Sequence, residues 1–204
     1  KPFVKVSEQL GLFAGQLMPL NFDEIAIDYV GDVSDYNCAP ITSAAVAGVL
    51  SSTLPDINMV SAPTIARDKG IAITETKKDE HSAYESYIRI NLVSKKEKFS
   101  IGGTIFSDGQ PRIVQINGIN LEAGLMPNML YVTNKDVPGL IGSLGNILGD
   151  EKINIASFNL GRTGPLKDAM ALIGVDKAVN ENVIKEVEKL DSVVQVKSLN
   201  FNII

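Results

Sequence analysis

Tryptophan is absent from this 204-residue chain, cysteine and histidine occur once each, and aromatic residues make up only 6%. With Cys38 alone, no intrachain disulfide can form and no cysteine-ligated metal cluster can assemble within the chain. His81 stands in the polar run KKDEHS without a second histidine or a cysteine to complete a metal site, so it reads as a surface residue. No apolar run is long enough to span a bilayer and no signal peptide is visible, so a cytoplasmic setting is expected. Positive charge is also in short supply. A net charge of −5 and a pI near 5.0 argue against a nucleic-acid or anionic-membrane surface. Nor is a basic half hidden in the total, because residues 128–204 carry 8 Lys/Arg against 9 Asp/Glu.

What remains is 45% hydrophobic residues in two distinct kinds of pattern. Phe3, Val6, Leu10, Phe13 and Leu17 recur at spacings of three and four, which predicts an amphipathic helix ended by Pro19. Ile25, Ile27 and Tyr29 alternate with Glu24, Ala26 and Asp28, the signature of a strand with one polar face. The small residues of PITSAAVAGVLSS, from Pro40, predict a closely packed helix, and Ala62–Lys69 a shorter one. Glu85–Val93, Lys98–Ser107 and Arg112–Ile116 alternate as strands, and Asn117–Gly118 predicts a type I′ hairpin turn after them. LEAGLMPN, at 121–128, interrupts both periodicities and marks a boundary between domains at 1–127 and 128–204.

Beyond the boundary the order changes to βαββαβ. Met129–Thr133 reads as a strand, and Leu140, Ile141, Leu144, Ile147 and Leu148 as one face of a helix. Two strands, Ile153–Leu160 and Lys167–Val175, a helix around Val183–Leu190 and a last strand, Val193–Phe201, follow. This is the split-βαβ, ferredoxin-like unit, so the chain as a whole is expected to be α+β, with a mixed α/β first domain. A sheet of this size leaves an edge uncovered, which predicts pairing with a second copy.

The stretch NKDVPGLIGSLGNILG, at 134–149, invites a phosphate-binding reading, but its glycine spacing is wrong for a dinucleotide fingerprint and Gly-Lys-Ser/Thr is lacking. The structural reading makes Asp136 an N-cap, lets Pro138 set the first helical turn and gives the glycines to close helix packing. A carboxylate at Asp136 and amides at Asn134 and Asn154, beside a helix N-terminus, would suit a ligand of both charges. An α-amino acid is such a ligand, its carboxylate facing the helix and its ammonium facing Asp136.

On the run NKDVPGLIGSLGNILGDEKINIASFNLGR, residues 128–204 resemble an ACT domain, a small-molecule-binding regulatory module. KPFVKVSEQLG, SAPTIARDKGI and RIVQINGINLEAG extend the likeness, so that the whole chain resembles the C-terminal regulatory part of the long-form bacterial 3-phosphoglycerate dehydrogenase family. That resemblance implies L-serine as a feedback effector bound between the ACT domains of two subunits. It also implies a homodimer or homotetramer, no catalytic or metal site in this region, and NAD as the cofactor of the parent enzyme rather than of this piece. The chain begins at Lys1 rather than at methionine, in keeping with that expectation. By motif, the effector residues are Asn134, Asp136, the backbone at Gly139 and Leu140, and Asn154. The family's intervening domain is implied to bind a phosphorylated substrate or another anion, and Arg112 sits at a matching basic position, although GINLEAG lacks the second basic residue. Cys38 reads as a packed or idle thiol and Arg162 as an interface or turn residue. Two other identities fit in part. One is the regulatory part of an iron–sulfur serine dehydratase, whose Ser-Ser-Ser-His-Thr run is missing here, and the other is a stand-alone amino-acid sensor.

Overall fold

A computed structural model describes residues 2–79, 83–163 and 168–201. His81 and Lys167, both named above, lie outside them. The chain divides into two compact units, Lys1–Gly118 and Ile119–Ile204. The residues 119–127 that precede the ACT-like segment therefore cluster with the second unit.

The first unit begins with α1 (Pro2–Leu17), β1 (Glu24–Gly31), α2 (Ala39–Ser51), α3 (Ala62–Asp68) and β2 (Ala72–Lys78). It continues with β3 (Ser86–Val93), β4 (Lys98–Ile105) and β5 (Pro111–Ile116). Its sheet runs β2-β1-β3-β4-β5, with β2 parallel to β1 and the other neighbours antiparallel. The alternation in β1 works as expected: Ile25, Ile27 and Tyr29 are fully buried while Glu24, Ala26 and Asp28 are half-buried or exposed. Val6, Leu10 and Phe13 carry the buried stripe of α1, whereas Phe3 and Leu17 stay half-buried at its ends.

Two features of this unit escape the periodicity. The strand β2, AITETKK, carries no apolar stripe and is mostly exposed; it exists because it completes the edge of the sheet against β1. The other is the seam between α1 and α2, built from small residues on both helices. A Cβ on Gly15 would lie 2.2 Å from the carbonyl oxygen of Val49, and one on Gly48 would lie 2.0 Å from that of Glu8. Ser7, fully buried in the same seam, donates its hydroxyl to the carbonyl of Ile41 at 3.0 Å. After β5, Asn117 at φ 47° and Gly118 at φ 78° make the turn foreseen from the Asn-Gly pair.

The second unit opens with β6 (Ile119–Ala123) and then carries β7 (Asn128–Lys135), α4 (Leu140–Asp150) and β8 (Ile155–Arg162). It closes with β9 (Asp168–Val175), α5 (Glu181–Glu188) and β10 (Val193–Asn200). From β7 onward this is the expected βαββαβ order, in an antiparallel sheet β10-β7-β9-β8. Asn159 on β8 donates its amide to the carbonyl of Glu122, which ties β6 to this unit. The core joins Leu130, Val132 and Ile173 of the sheet to Leu144 and Leu148 of α4 and Val187 of α5.

Four expectations for α4 are corrected here. Its N-cap is Gly139, at φ 103°, so Asp136 does not cap it and Pro138 lies in the turn before the helix rather than in its first turn. A residue at φ 103° cannot continue a right-handed helix, and it therefore separates Asp136 from the first turn. Ile141 is 56% exposed, because the core line of α4 runs through Leu140, Leu144 and Leu148, four residues apart, with Ile147 packed partly buried beside it. The glycines do not serve close packing among the described residues: a Cβ on Gly142, Gly145 or Gly149 would meet none of them within 4 Å.

Candidate functional site

The end of β7, the turn before α4 and the end of β8 surround a cavity of about 450 Å³. Its polar lining comes from Asn134, Asp136 and Arg162, together with the backbone of Gly139, Leu140 and Gly142. Val137, Ile141 and Leu160 form an apolar rim and are 37%, 56% and 41% exposed.

Sheet register explains why these side chains meet. Both β7 and β8 pair antiparallel with β9, so they run in the same direction on either side of it. Ala169 faces Asn134 on one side and Arg162 on the other, which puts all three on one row across the sheet. Residues on one row point to the same face. The chain then turns at Gly139 into α4, whose first backbone N–H groups have no intrahelical partner and receive no side-chain cap. The residues that start α4, Leu140 to Gly142, line the cavity at the positive end of the helix.

Asn134 is 3% exposed. Its amide nitrogen donates to the carbonyl of Lys135 at 2.9 Å, while its Oδ1 is buried and meets no donor among the described residues. A buried acceptor left unpaired costs roughly 1–3 kcal/mol, so this oxygen is a standing site for a ligand's donor. The Asp136 side chain is 16% exposed, and its Oδ2 lies 3.4 Å from Nη1 of Arg162, whose side chain is 57% exposed. Nearby Lys135 is taken up by Asp168 at 2.5 Å.

The sequence-derived residues thus divide in two. Asn134, Asp136, Gly139 and Leu140 come together in one cavity. Asn154 does not join them in the same chain. It sits ahead of β8, past the far end of α4, whose 11 residues span about 16 Å at about 1.5 Å each. There it is exposed, its N–H donating to Asp176 Oδ1 at 3.1 Å and its carbonyl accepting from the Asp176 N–H at 3.2 Å. Arg162, read from the sequence as an interface or turn residue, takes a place in the cavity. Nothing in LGRTG signals this, because strand register is a property of the folded sheet.

In the first unit, Arg112 donates from Nη2 to Asp108 Oδ2 at 2.8 Å and from Nη1 to the Pro111 carbonyl at 3.1 Å. Its guanidinium also lies 5.4 Å from the centre of the Phe106 ring. An anion at this position would have to displace Asp108. Cys38 is buried, with its Sγ donating toward the Val33 and Tyr36 carbonyls at 3.5 and 3.4 Å, and burial pushes its thiol pKa up. Among the described residues, no group of three His, Cys, Asp or Glu side chains is placed to hold a metal ion, and no helix is long and apolar enough to cross a membrane.

Residues 1–117 match the family model of the D-3-phosphoglycerate dehydrogenase intervening domain, and residues 128–192 match that of the ACT domain. The D-3-phosphoglycerate dehydrogenase of Methanocaldococcus jannaschii is 32% identical over 203 residues, which is 98% of this chain and 38% of that protein. The enzyme of the same name from Bacillus subtilis is 28% identical over 201 residues, 98% of this chain and 38% of that protein. The one from Synechocystis is 30% identical over 192 residues, 93% of this chain and 35% of that protein. The chain therefore spans a little over a third of the length of these relatives.

Proposed function

The chain belongs to the D-3-phosphoglycerate dehydrogenase family, of which it carries the intervening and ACT domains, and on that premise we propose that it is a serine-sensing regulatory region. The cavity at the start of α4 carries the proposal: it collects an Asn134 acceptor that is buried and unpaired among the described residues, the Asp136 carboxylate and a helix N-terminus around one open space. L-serine fits that chemistry. Its carboxylate faces the N–H groups at Gly139 and Leu140, its ammonium faces Asp136, and a proton of its hydroxyl or ammonium group satisfies Asn134 Oδ1.

Asn154 enters from a second copy. The strand β8 is the outermost strand of its sheet, and antiparallel pairing of two such strands sets the start of one beside the end of the other. That arrangement would bring Asn154 of a second copy to the Arg162 end of β8, completing two equivalent sites in a homodimer; further pairing through the first unit would make a homotetramer. Serine that binds one arrangement of the pair more tightly shifts the population toward it, and a tenfold change in inhibition needs only ~1.4 kcal/mol of differential affinity.

The activity being regulated is the NAD-dependent oxidation of 3-phosphoglycerate in the cytoplasm, at the entry to serine biosynthesis. We assign the NAD site and the hydride-transfer residues to the part of the relatives that this chain does not span. Arg112 is the candidate anion ligand of the first unit, exchanging Asp108 for a phosphorylated substrate. The relatives favour this reading over a region of an iron–sulfur serine dehydratase or a stand-alone sensor. Isothermal titration of the chain with L-serine, beside D-serine and glycine, tests the proposal. Saturable binding selective for L-serine and lost in Asp136→Ala is expected; no binding of L-serine by the unaltered chain would overturn it.

A further inference from the structure

Arg162 is the cation of the cavity that no reading above employs. It stands on the same sheet row as Asn134, across Ala169, and its guanidinium reaches the cavity beside Asp136. A second cation near the end of β7, Lys135, is already paired with Asp168. Arg162 makes a long contact, one nitrogen to Asp136 Oδ2 at 3.4 Å, and with its side chain 57% exposed most of its donor fork is uncommitted among the described residues. Asp136 is the more enclosed partner, at 16%.

We infer that Arg162 recognises the α-carboxylate of the bound amino acid and that binding proceeds by exchange of the Arg162–Asp136 ion pair, a deepening that rests on the amino-acid reading of this site. In the empty cavity Arg162 compensates the charge of Asp136. A ligand with both an ammonium and a carboxylate replaces that single pair by two, its ammonium on Asp136 and its carboxylate shared between the fork of Arg162 and the N–H groups that start α4. A guanidinium fork matches a carboxylate in two parallel hydrogen bonds, which an ammonium cannot do. The total charge of site and ligand is unchanged by the exchange, so no charge is left unpaired. A ligand with only one of the two charges strands the opposite member of the pair. A cationic ligand without a carboxylate also sets its ammonium against Arg162. The cavity thus selects free amino acids over their amides and over the corresponding hydroxy acids, by removal of a charge partner and not by size.

This mechanism has a signature that a purely structural arginine lacks. Arg162→Gln deletes the carboxylate contact but also frees Asp136, so its effect has opposite signs for two ligands. Calorimetry of the full chain is run with L-serine and L-serinamide, on the unaltered protein, Arg162→Gln and Arg162→Lys, with thermal melts to verify that each variant is folded. The expected result is at least tenfold weaker binding of L-serine to Arg162→Gln, a smaller loss in Arg162→Lys, and several-fold tighter binding of L-serinamide to Arg162→Gln than to the unaltered chain. If the unaltered chain binds L-serine but Arg162→Gln changes neither ligand, or weakens both alike, the exchange is wrong while the serine site stands. If the unaltered chain binds neither, the amino-acid reading falls and the exchange with it.

Discussion

Gly11 of α1 faces the carbonyl oxygen of Ala45 on α2 so closely that a Cβ on it would lie 2.2 Å away. The obstacle is backbone and not the tip of a flexible side chain, so no rotamer change relieves it. Together with Gly15 and Gly48 it lets the two helices approach until their backbones touch, and α1 then delivers Leu10 into the gap above Gly103 of β4, where a Cβ would meet Leu10 at 2.9 Å.

Gly11→Ala is therefore expected to destabilise the first unit by about 3 kcal/mol, toward the upper end of what overpacking costs. Urea unfolding followed by circular dichroism reads this as a lower midpoint for that unit. An unchanged midpoint would mean that the helices can separate freely and that the seam does not hold them.

Gly145 of α4 presents the opposite case, since a Cβ there meets nothing within 4 Å among the described residues. Gly145→Ala removes backbone freedom from the unfolded chain at no steric cost, and is expected to raise the stability of the second unit by ~0.5–1 kcal/mol. A fall in its melting temperature would show that the bare face of α4 is occupied by something that a methyl group displaces.

If each effector site is shared between two chains, mixing must restore what separate variants lose. Asp136→Ala and Asn154→Ala chains are each expected to bind L-serine at least tenfold more weakly. After dissociation and reassociation at equal amounts, about one site in four should recover full affinity, because only mixed dimers carry one intact site. Calorimetric stoichiometry measures that fraction. Absence of recovery, despite confirmed mixed dimers, would place Asn154 outside the site.

Alkali should unfold the second unit through Tyr131. This side chain is 3% exposed, and burial pushes its pKa from 10.0 up to about 12. Below pH 10 the hydroxyl is protonated in both states and stability is insensitive to pH. Between pH 10 and 12 the unfolded chain loses this proton while the folded one keeps it, so stability falls, by at most about 1.4 kcal/mol per pH unit from this group. Urea midpoints between pH 9 and 12 should show the decline, and Tyr131→Phe should flatten it for the second unit. Tyr29, fully buried in the first unit and hydrogen-bonded to Thr42, has its pKa raised by burial as well, so the first unit should weaken over the same alkaline range.

The parts of the fold that could be read from the chain are those that local chemistry dictates. Alternation placed β1 and the sheet face that it buries, the three-and-four spacing placed α1 and α4, and Asn117–Gly118 placed its turn, because each signal is contained within a few consecutive residues. The strand β2 could not be read in this way, since AITETKK has no buried stripe and owes its conformation to hydrogen bonds with β1. Capping by Asp136 was misread for a related reason: the left-handed turn at Gly139 depends on how β7 and α4 are spaced after they pack, and not on the preference of aspartate for helix starts.

For the candidate site, residue types pointed to Asn134 and Asp136 and the family resemblance to Gly139 and Leu140, and all four lie within seven consecutive positions and so share one turn of the chain. Only the tertiary structure decided that Arg162 joins them and that Asn154 of the same chain does not, because sheet register and the length of α4 set those distances. Four residues of the cavity were thus legible along the chain. The choice of the cation facing Asp136 arose only when two strands, separated along the chain by a helix, were brought to either side of Ala169.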